Sequence, residues 1–258
     1  MTELAALIFD VDGTLADTER DGHRVAFNHA FKQAGLDWTW SPEMYGELLS
    51  VTGGKERIRY YLERYRPDFA RNGERDGLIA ELHARKTERY TAMVEAGEIA
   101  LRPGIRRLLE EACTAGIRLA VATTTTPANV NALLVHTLGP DGPGMFDVIA
   151  AGDVVPAKKP APDIYYYTLR ALGLGPEKCL AIEDSAHGLA ASSGAGIKTI
   201  IAVNGYTKDQ QFDGAILIVD GLGEPDAPAM VLGGSAVEAK KGTRVCVDIE
   251  LVKKLHYG

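Results

Sequence analysis

Short, uninterrupted apolar runs that end in polar clusters constrain this chain more than any other feature. Residues 4–9 (LAALIF) run into Asp10-Val11-Asp12, residues 119–122 (LAVA) into four threonines, and residues 180–182 (LAI) into Glu183-Asp184-Ser185. Residues 199–203 (TIIAV) form a fourth run, and residues 216–219 (ILIV) a fifth. A continuous apolar run of this length reads as a strand buried on both faces, as in a parallel sheet. Helical periods over 105–115, 164–172 and 188–194 alternate with the runs. That order predicts an α/β fold with a doubly wound, Rossmann-like parallel sheet, whose ligands bind at the carboxyl ends of the strands.

Between about residues 17 and 97 the pattern changes. Helical periods over 25–33, 42–49, 55–65 and 78–95 follow one another with no strand-like run. The stretch reads as a helical domain, 17–96, inserted into an α/β domain made of 1–16 and 97–258, with Arg102-Pro103-Gly104 marking the return. Residues 221–258 are less regular. Turns at Gly223-Glu224-Pro225 and Ala227-Pro228 precede an expected strand over 244–249 and a short helix.

Composition excludes several classes. With 258 residues, 46% of them hydrophobic, the chain can bury a core without staples. The 28 basic residues against 35 acidic ones give a net charge of -7, so no global field gathers nucleic acid or an anionic membrane. An anionic substrate would need local cations. Cys113, Cys179 and Cys246 are odd in number and have no zinc spacing, which fits a reducing cytoplasm. No apolar run reaches the length of a membrane span, and the opening residues have neither signal-peptide nor transit-peptide character.

The polar clusters carry the chemistry. Asp10 and Asp12 lie two residues apart after a strand, so they project to the same side. One carboxylate can attack an electrophile while the other gives and takes a proton. Asp and Gly also favour simple turns, which is the competing reading of this motif alone. The segment from Ala122 through Thr123, Thr124, Thr125 and Thr126 to Pro127 offers hydroxyls and N–H groups at a helix start, suited to an anion. Lys158-Lys159-Pro160-Ala161-Pro162-Asp163 offers two cations constrained by prolines. Glu183 and Asp184, with Asp10 and the Asp12 carbonyl, form a hard-oxygen set suited to Mg²⁺. Asp184-Ser185 could equally cap the next helix, but capping does not account for all the polar clusters together. Gly54-Lys55 is no P-loop, because position 49 is Leu and position 56 is Glu. Ser185 and His187 are too close along one helix start to face each other as a hydrolase pair.

In this order, DxDGT, a strand ending in threonine, a lysine and an acidic pair, the motifs resemble the haloacid dehalogenase superfamily of phosphotransferases. The resemblance runs from Leu4 to about Val219. It implies Asp10 as nucleophile, Asp12 as general acid/base, Thr123 and Lys159 as phosphate binders, Thr124 among the substrate contacts, and Asp10, Asp12, Glu183 and Asp184 around Mg²⁺. The insertion looks like that superfamily's helical cap, which selects the substrate bound between cap and core.

Finer details are similar to the CbbY type, the xylulose-1,5-bisphosphate phosphatases. They are Asp17-Thr18-Glu19, Gly22-His23-Arg24, Ala26-Phe27-Asn28, Tyr45-Gly46-Glu47-Leu48-Leu49, the stretch from Thr52 to Ile58, and Gly152-Asp153-Val154-Val155. The resemblance implies Glu19, His23, Tyr45, Gly54, Lys55 and Arg57 as substrate-binding residues. Gly53-Gly54-Lys55 with Arg57 would suit a second phosphate, supplying a turn, a point charge and a bidentate fork. The expectation is a monomeric, cytoplasmic, Mg²⁺-dependent phosphatase of a sugar bisphosphate that inhibits Rubisco. A β-phosphoglucomutase-like transferase and a non-catalytic protein of the same fold are the alternatives.

Overall fold

The computed structural model describes residues 3–51, 53–69, 75–236 and 240–258. It divides into two compact units, residues 1–17 with 100–258 and residues 18–99.

The first unit is built on one sheet. Its strands are β1 (Ala6–Phe9), β2 (Arg118–Ala122), β3 (Val148–Ala150), β4 (Cys179–Glu183), β5 (Lys198–Ala202), β6 (Leu217–Val219), β7 (Ala229–Gly233) and β8 (Arg244–Val245). They lie in the order β3-β2-β1-β4-β5-β6-β7-β8. The first six run parallel, whereas β7 is antiparallel to β6 and β8 to β7. All four residues of β1 are fully buried, as its unbroken apolar run requires. The chain order reverses beside β1, which has β2 on one side and β4 on the other. That reversal is the crevice position where open α/β sheets take their ligands.

Helices of this unit carry apolar stripes at helical spacing. In α5 (Ile105–Thr114) the buried residues are Ile105, Leu108, Leu109 and Ala112. Next come α6 (Pro127–Leu138), α7 (Asp163–Leu172) and α8 (Ala186–Gly194). Pro127 takes the first turn of α6, where its missing N–H costs nothing. On α7, Ile164, Tyr165, Leu169 and Leu172 pack with Ala6, Ile8, Ala120 and Ala181 of the central strands.

The C-terminal stretch differs from the expected strand over 244–249. Only Arg244 and Val245 pair, because Asp248 caps the helix α9 (Ile249–Tyr257) by accepting from Leu251 N at 2.7 Å. Sequence reading also passed over β3 and β7. The first is three residues long, and the second is set among glycine and proline turns.

Arg102, at the return into this unit, is a structural hub. Its guanidinium donates to the carbonyls of Ala202 at 2.9 Å and Val203 at 2.5 Å, and also to Gly13. It pairs with Asp17 at 3.4 Å. Beside it, Arg102 N donates to Leu15 O at 2.8 Å, and Ala16 bridges Leu101.

The second unit is helical. A π-helical turn over Thr18–His23 leads into α1 (Arg24–Gln33), followed by α2 (Pro42–Leu48), α3 (Gly54–Tyr65) and α4 (Arg75–Glu95). Its core is aromatic: Phe27, Phe31, Trp38, Trp40, Tyr45 and Tyr61 pack with ring centroids 4.7–6.2 Å apart.

Candidate active site

Register brings the motifs to one level. Phe9 lies beside Val121 and Ile182, so Asp10, Ala122 and Glu183 come to one level at the carboxyl ends of neighbouring strands. Asp10 N donates to Ile182 O at 3.1 Å, continuing the ladder one residue past β1. The chain then turns at Gly13, whose φ is +86° and whose missing side chain leaves room for Asp184 and Asn204.

Lys159 is the centre of charge. Its Nζ donates to Asp10 Oδ1 at 2.7 Å and to Glu183 Oε1 at 2.6 Å, with all three side chains at most 11% exposed. Tyr165 OH donates to the same Glu183 oxygen at 2.5 Å, and its ring lies 5.4 Å from Lys159 Nζ. Burial works against the lysine charge, but Asp10 and Glu183 outweigh it and hold the ammonium above its ordinary pKa. Burial pushes Glu183 up to about 7 against the pull of Lys159. Burial also raises Asp184 well above the carboxylate range, helped by repulsion from Asp10 and Glu183 and opposed by a hydrogen bond from Asn204.

Asp10, Glu183 and Asp184 each offer a carboxylate oxygen, and these lie within 4.8 Å of one another. All three residues are buried, with one lysine against them, and Glu183 Oε2 is buried without a hydrogen-bond partner. A buried excess of hard, anionic oxygen fits Mg²⁺.

The remaining expected residues of this unit fall into two groups. Thr123 is buried and its hydroxyl accepts from Thr125 N at 3.2 Å. Asp12 accepts from the Thr125 hydroxyl. Thr124 is exposed, and Lys158 turns to Gly152 O and to Asp153 at 2.6 Å, away from the cluster. Ser185 caps α8 by accepting from Gly188 N at 3.1 Å, while Asp184 joins the carboxylates.

Tyr165 and Asn204 escaped the sequence reading, while Thr125 was read only within the threonine segment and Arg102 only within a turn. Asn204 had a signal, since it follows an apolar run as the recognised motifs do. Tyr165 did not, because an aromatic on the buried stripe of a helix reads as core.

In the helical unit, Glu19, Tyr45 and Arg57 form one polar cluster. Tyr45 OH donates to Glu19 Oε2 at 2.5 Å, and Arg57 Nη1 donates to Tyr45 OH at 2.7 Å with Glu19 3.8 Å away. Arg57 is only 8% exposed, whereas Lys55 and Glu56 before it on α3 are exposed. His23 Nδ1 lies 2.9 Å from Lys86 Nζ. Burial, then Lys86 and Arg57, lower the His23 pKa well below its ordinary value, so the ring is neutral and accepts from the ammonium. Gly54 lies under His83, whose ring fills the space a Cβ would need, and Lys55 is exposed. Thr52 falls outside the described residues.

The chain belongs to the haloacid dehalogenase-like hydrolase family, whose profile matches residues 4–196. Relatives named as phosphatases share this framework, among them the phosphorylated carbohydrates phosphatase of Thermotoga maritima, 29% identical over 201 residues, 78% of this chain and 85% of that one. Within the family the chain is of the CbbY type. It is 49% identical to protein CbbY of Cupriavidus necator over 225 residues, 87% of this chain and 88% of that one. Crystal structures of CbbY from Rhodobacter sphaeroides, one with phosphate and one of a mutant with xylulose-(1,5)bisphosphate, are 50% identical to it at a TM-score of 0.73. They cover 84% of this chain and 94% of theirs.

Proposed function

We propose that the protein is an Mg²⁺-dependent sugar-bisphosphate phosphatase working through an aspartyl-phosphate intermediate, with xylulose-1,5-bisphosphate as substrate. The observation that carries this reading is the buried Lys159 bonded to both Asp10 and Glu183. That arrangement holds a carboxylate nucleophile beside a fixed cation at a strand end. An Asp10 oxygen attacks phosphorus as the bond to the sugar oxygen breaks, and Asp12 gives that oxygen its proton. Water then attacks the aspartyl phosphate, Asp12 takes the proton, and phosphate leaves with the Asp10 carboxylate restored. Thr125, donating to Asp12, keeps the acid/base carboxyl aimed. Lys159 and Thr123 offset charge on the transferring group. Asp10, Glu183, Asp184 and the Asp12 carbonyl would hold Mg²⁺, which would supply further positive charge there.

The helical unit's own residues select the substrate. Arg57 offers a guanidinium already braced by Tyr45 and Glu19, and Lys86 an ammonium braced by His23. Two braced cations suit a second phosphate. The three cysteines are free thiols, in keeping with a reducing cytoplasm. Removing a Rubisco inhibitor is the role this substrate implies.

Phosphate release is measured from xylulose-1,5-bisphosphate, ribulose-1,5-bisphosphate, fructose-1,6-bisphosphate and β-glucose-1-phosphate, each with Mg²⁺ and with EDTA. Fast, Mg²⁺-dependent release from the first supports the reading. An isomeric sugar phosphate in place of free phosphate makes the enzyme a mutase, and inactivity on every substrate makes the protein non-catalytic.

A further inference from the structure

We propose that Asn204 is a positioning residue that fixes the Asp184 carboxylate for the metal, a role that rests on the proposed Mg²⁺ site. Asn204 follows β5 and lies outside every motif of the catalytic reading. Its Nδ2 donates to Asp184 Oδ2 at 2.6 Å and, more weakly, to Gly13 O at 3.4 Å. Its Oδ1 accepts from Tyr206 N at 2.8 Å. A backbone N–H can only donate, so this last bond sets which end of the amide faces Asp184. The residue's own backbone is pinned as well. Asn204 N donates to Thr207 Oγ1 at 3.0 Å, and Asn204 O accepts from Lys208 N at 3.1 Å. A donor held at both ends occupies one oxygen of Asp184 and leaves the other for ligation. It also ties the acidic pair to the turn at Gly13, where an added Cβ would strike both Asp184 and Asn204. Outer groups that orient a ligand in this way are worth roughly 10- to 100-fold in metal affinity.

The test is calorimetric titration of the purified, metal-stripped chain with MgCl₂, without substrate, for the wild type, Asn204→Ala and Thr207→Val. Thr207→Val removes a hydrogen bond of the same loop but keeps the amide on Asp184. The expected result is a Kd about 10-fold weaker in Asn204→Ala and within twofold of wild type in Thr207→Val. In the activity assay, Asn204→Ala should regain its rate as Mg²⁺ is raised, with KM for the sugar phosphate unchanged at saturating metal. Equal Kd values in the wild type and Asn204→Ala would overturn the role of Asn204, as would an equal loss in Thr207→Val. A wild type that does not bind Mg²⁺ overturns instead the metal site on which the role rests.

Discussion

Replacing Glu183 by glutamine separates the electrostatic load of the acidic cluster from its shape. The carboxylate is fully buried and is pushed from an ordinary 4.5 up to about 7, chiefly by burial. Between those values the folded chain holds a proton that the unfolded chain has released. Stability from this group is therefore fully present below 4.5 and is lost as pH rises through 7. Between pH 5 and 8 the loss is about 2 to 3 kcal/mol, which in a chain of this size is about 5 to 10 °C in Tm. Glutamine keeps an acceptor for Lys159 and Tyr165 but cannot titrate. The assay is thermal unfolding of the metal-free wild type and Glu183→Gln across pH 5 to 8. The wild type should lose stability steeply, and the variant should lose about 2 to 3 kcal/mol less over the same range. Adding Mg²⁺ at pH 8 should restore the wild type more than the variant, because a ligand that binds only the folded state stabilises it. Parallel pH curves for the two proteins would refute the assignment of the shift to burial of Glu183.

Asp10→Asn should keep the fold and lower kcat more than about 1,000-fold, as removal of a nucleophile does; circular dichroism and phosphate release check both halves. Tyr165→Phe deletes a hydroxyl bonded to a buried carboxylate and should cost about 1 to 3 kcal/mol in chemical denaturation. Gly13→Ala places a Cβ against Asp184 and Asn204 at positive φ, so it should lose about 1 to 3 kcal/mol of stability together with most of the activity. Arg57→Lys gives up the planar fork that meets Tyr45 and Glu19, and KM for the bisphosphate should rise about 10-fold with a smaller change in kcat.

Much of the α/β unit was legible because burial on both faces writes itself as continuous apolar sequence. The residues of β1, β2, β4 and β5 are nearly all apolar, and no other local pattern competes with that reading. In β3 the signal fades, since Val148 and Ile149 are only partly buried and the strand has three residues. The residues of β7, AMVLG, are apolar but set among glycine and proline turns that mask the run, and β8, at the edge of the sheet, has only two residues. In the site, Asp10, Lys159, Glu183 and Asp184 were readable because strand ends and neighbouring prolines frame them. Lys86 was not. It sits in the 21-residue α4 among many charged residues, and only folding places it beside His23. Arg102 was read as part of a turn, and its donors to Gly13, Ala202 and Val203 depend on contacts about 90 to 100 residues away in sequence.

The pairing of Ala16 with Leu101, and of Leu15 O with Arg102 N, means that the α/β unit releases the chain and takes it back at a single doorway. Whatever lies between those points adds little loop-closure entropy to the unit, however long it is. A gene could therefore lengthen, shorten or exchange the whole insertion without disturbing the register of β1 against β2 and β4. The sheet and the insertion are then free to vary as separate modules, with the α/β side of the doorway held by the ion pair of Arg102 with Asp17.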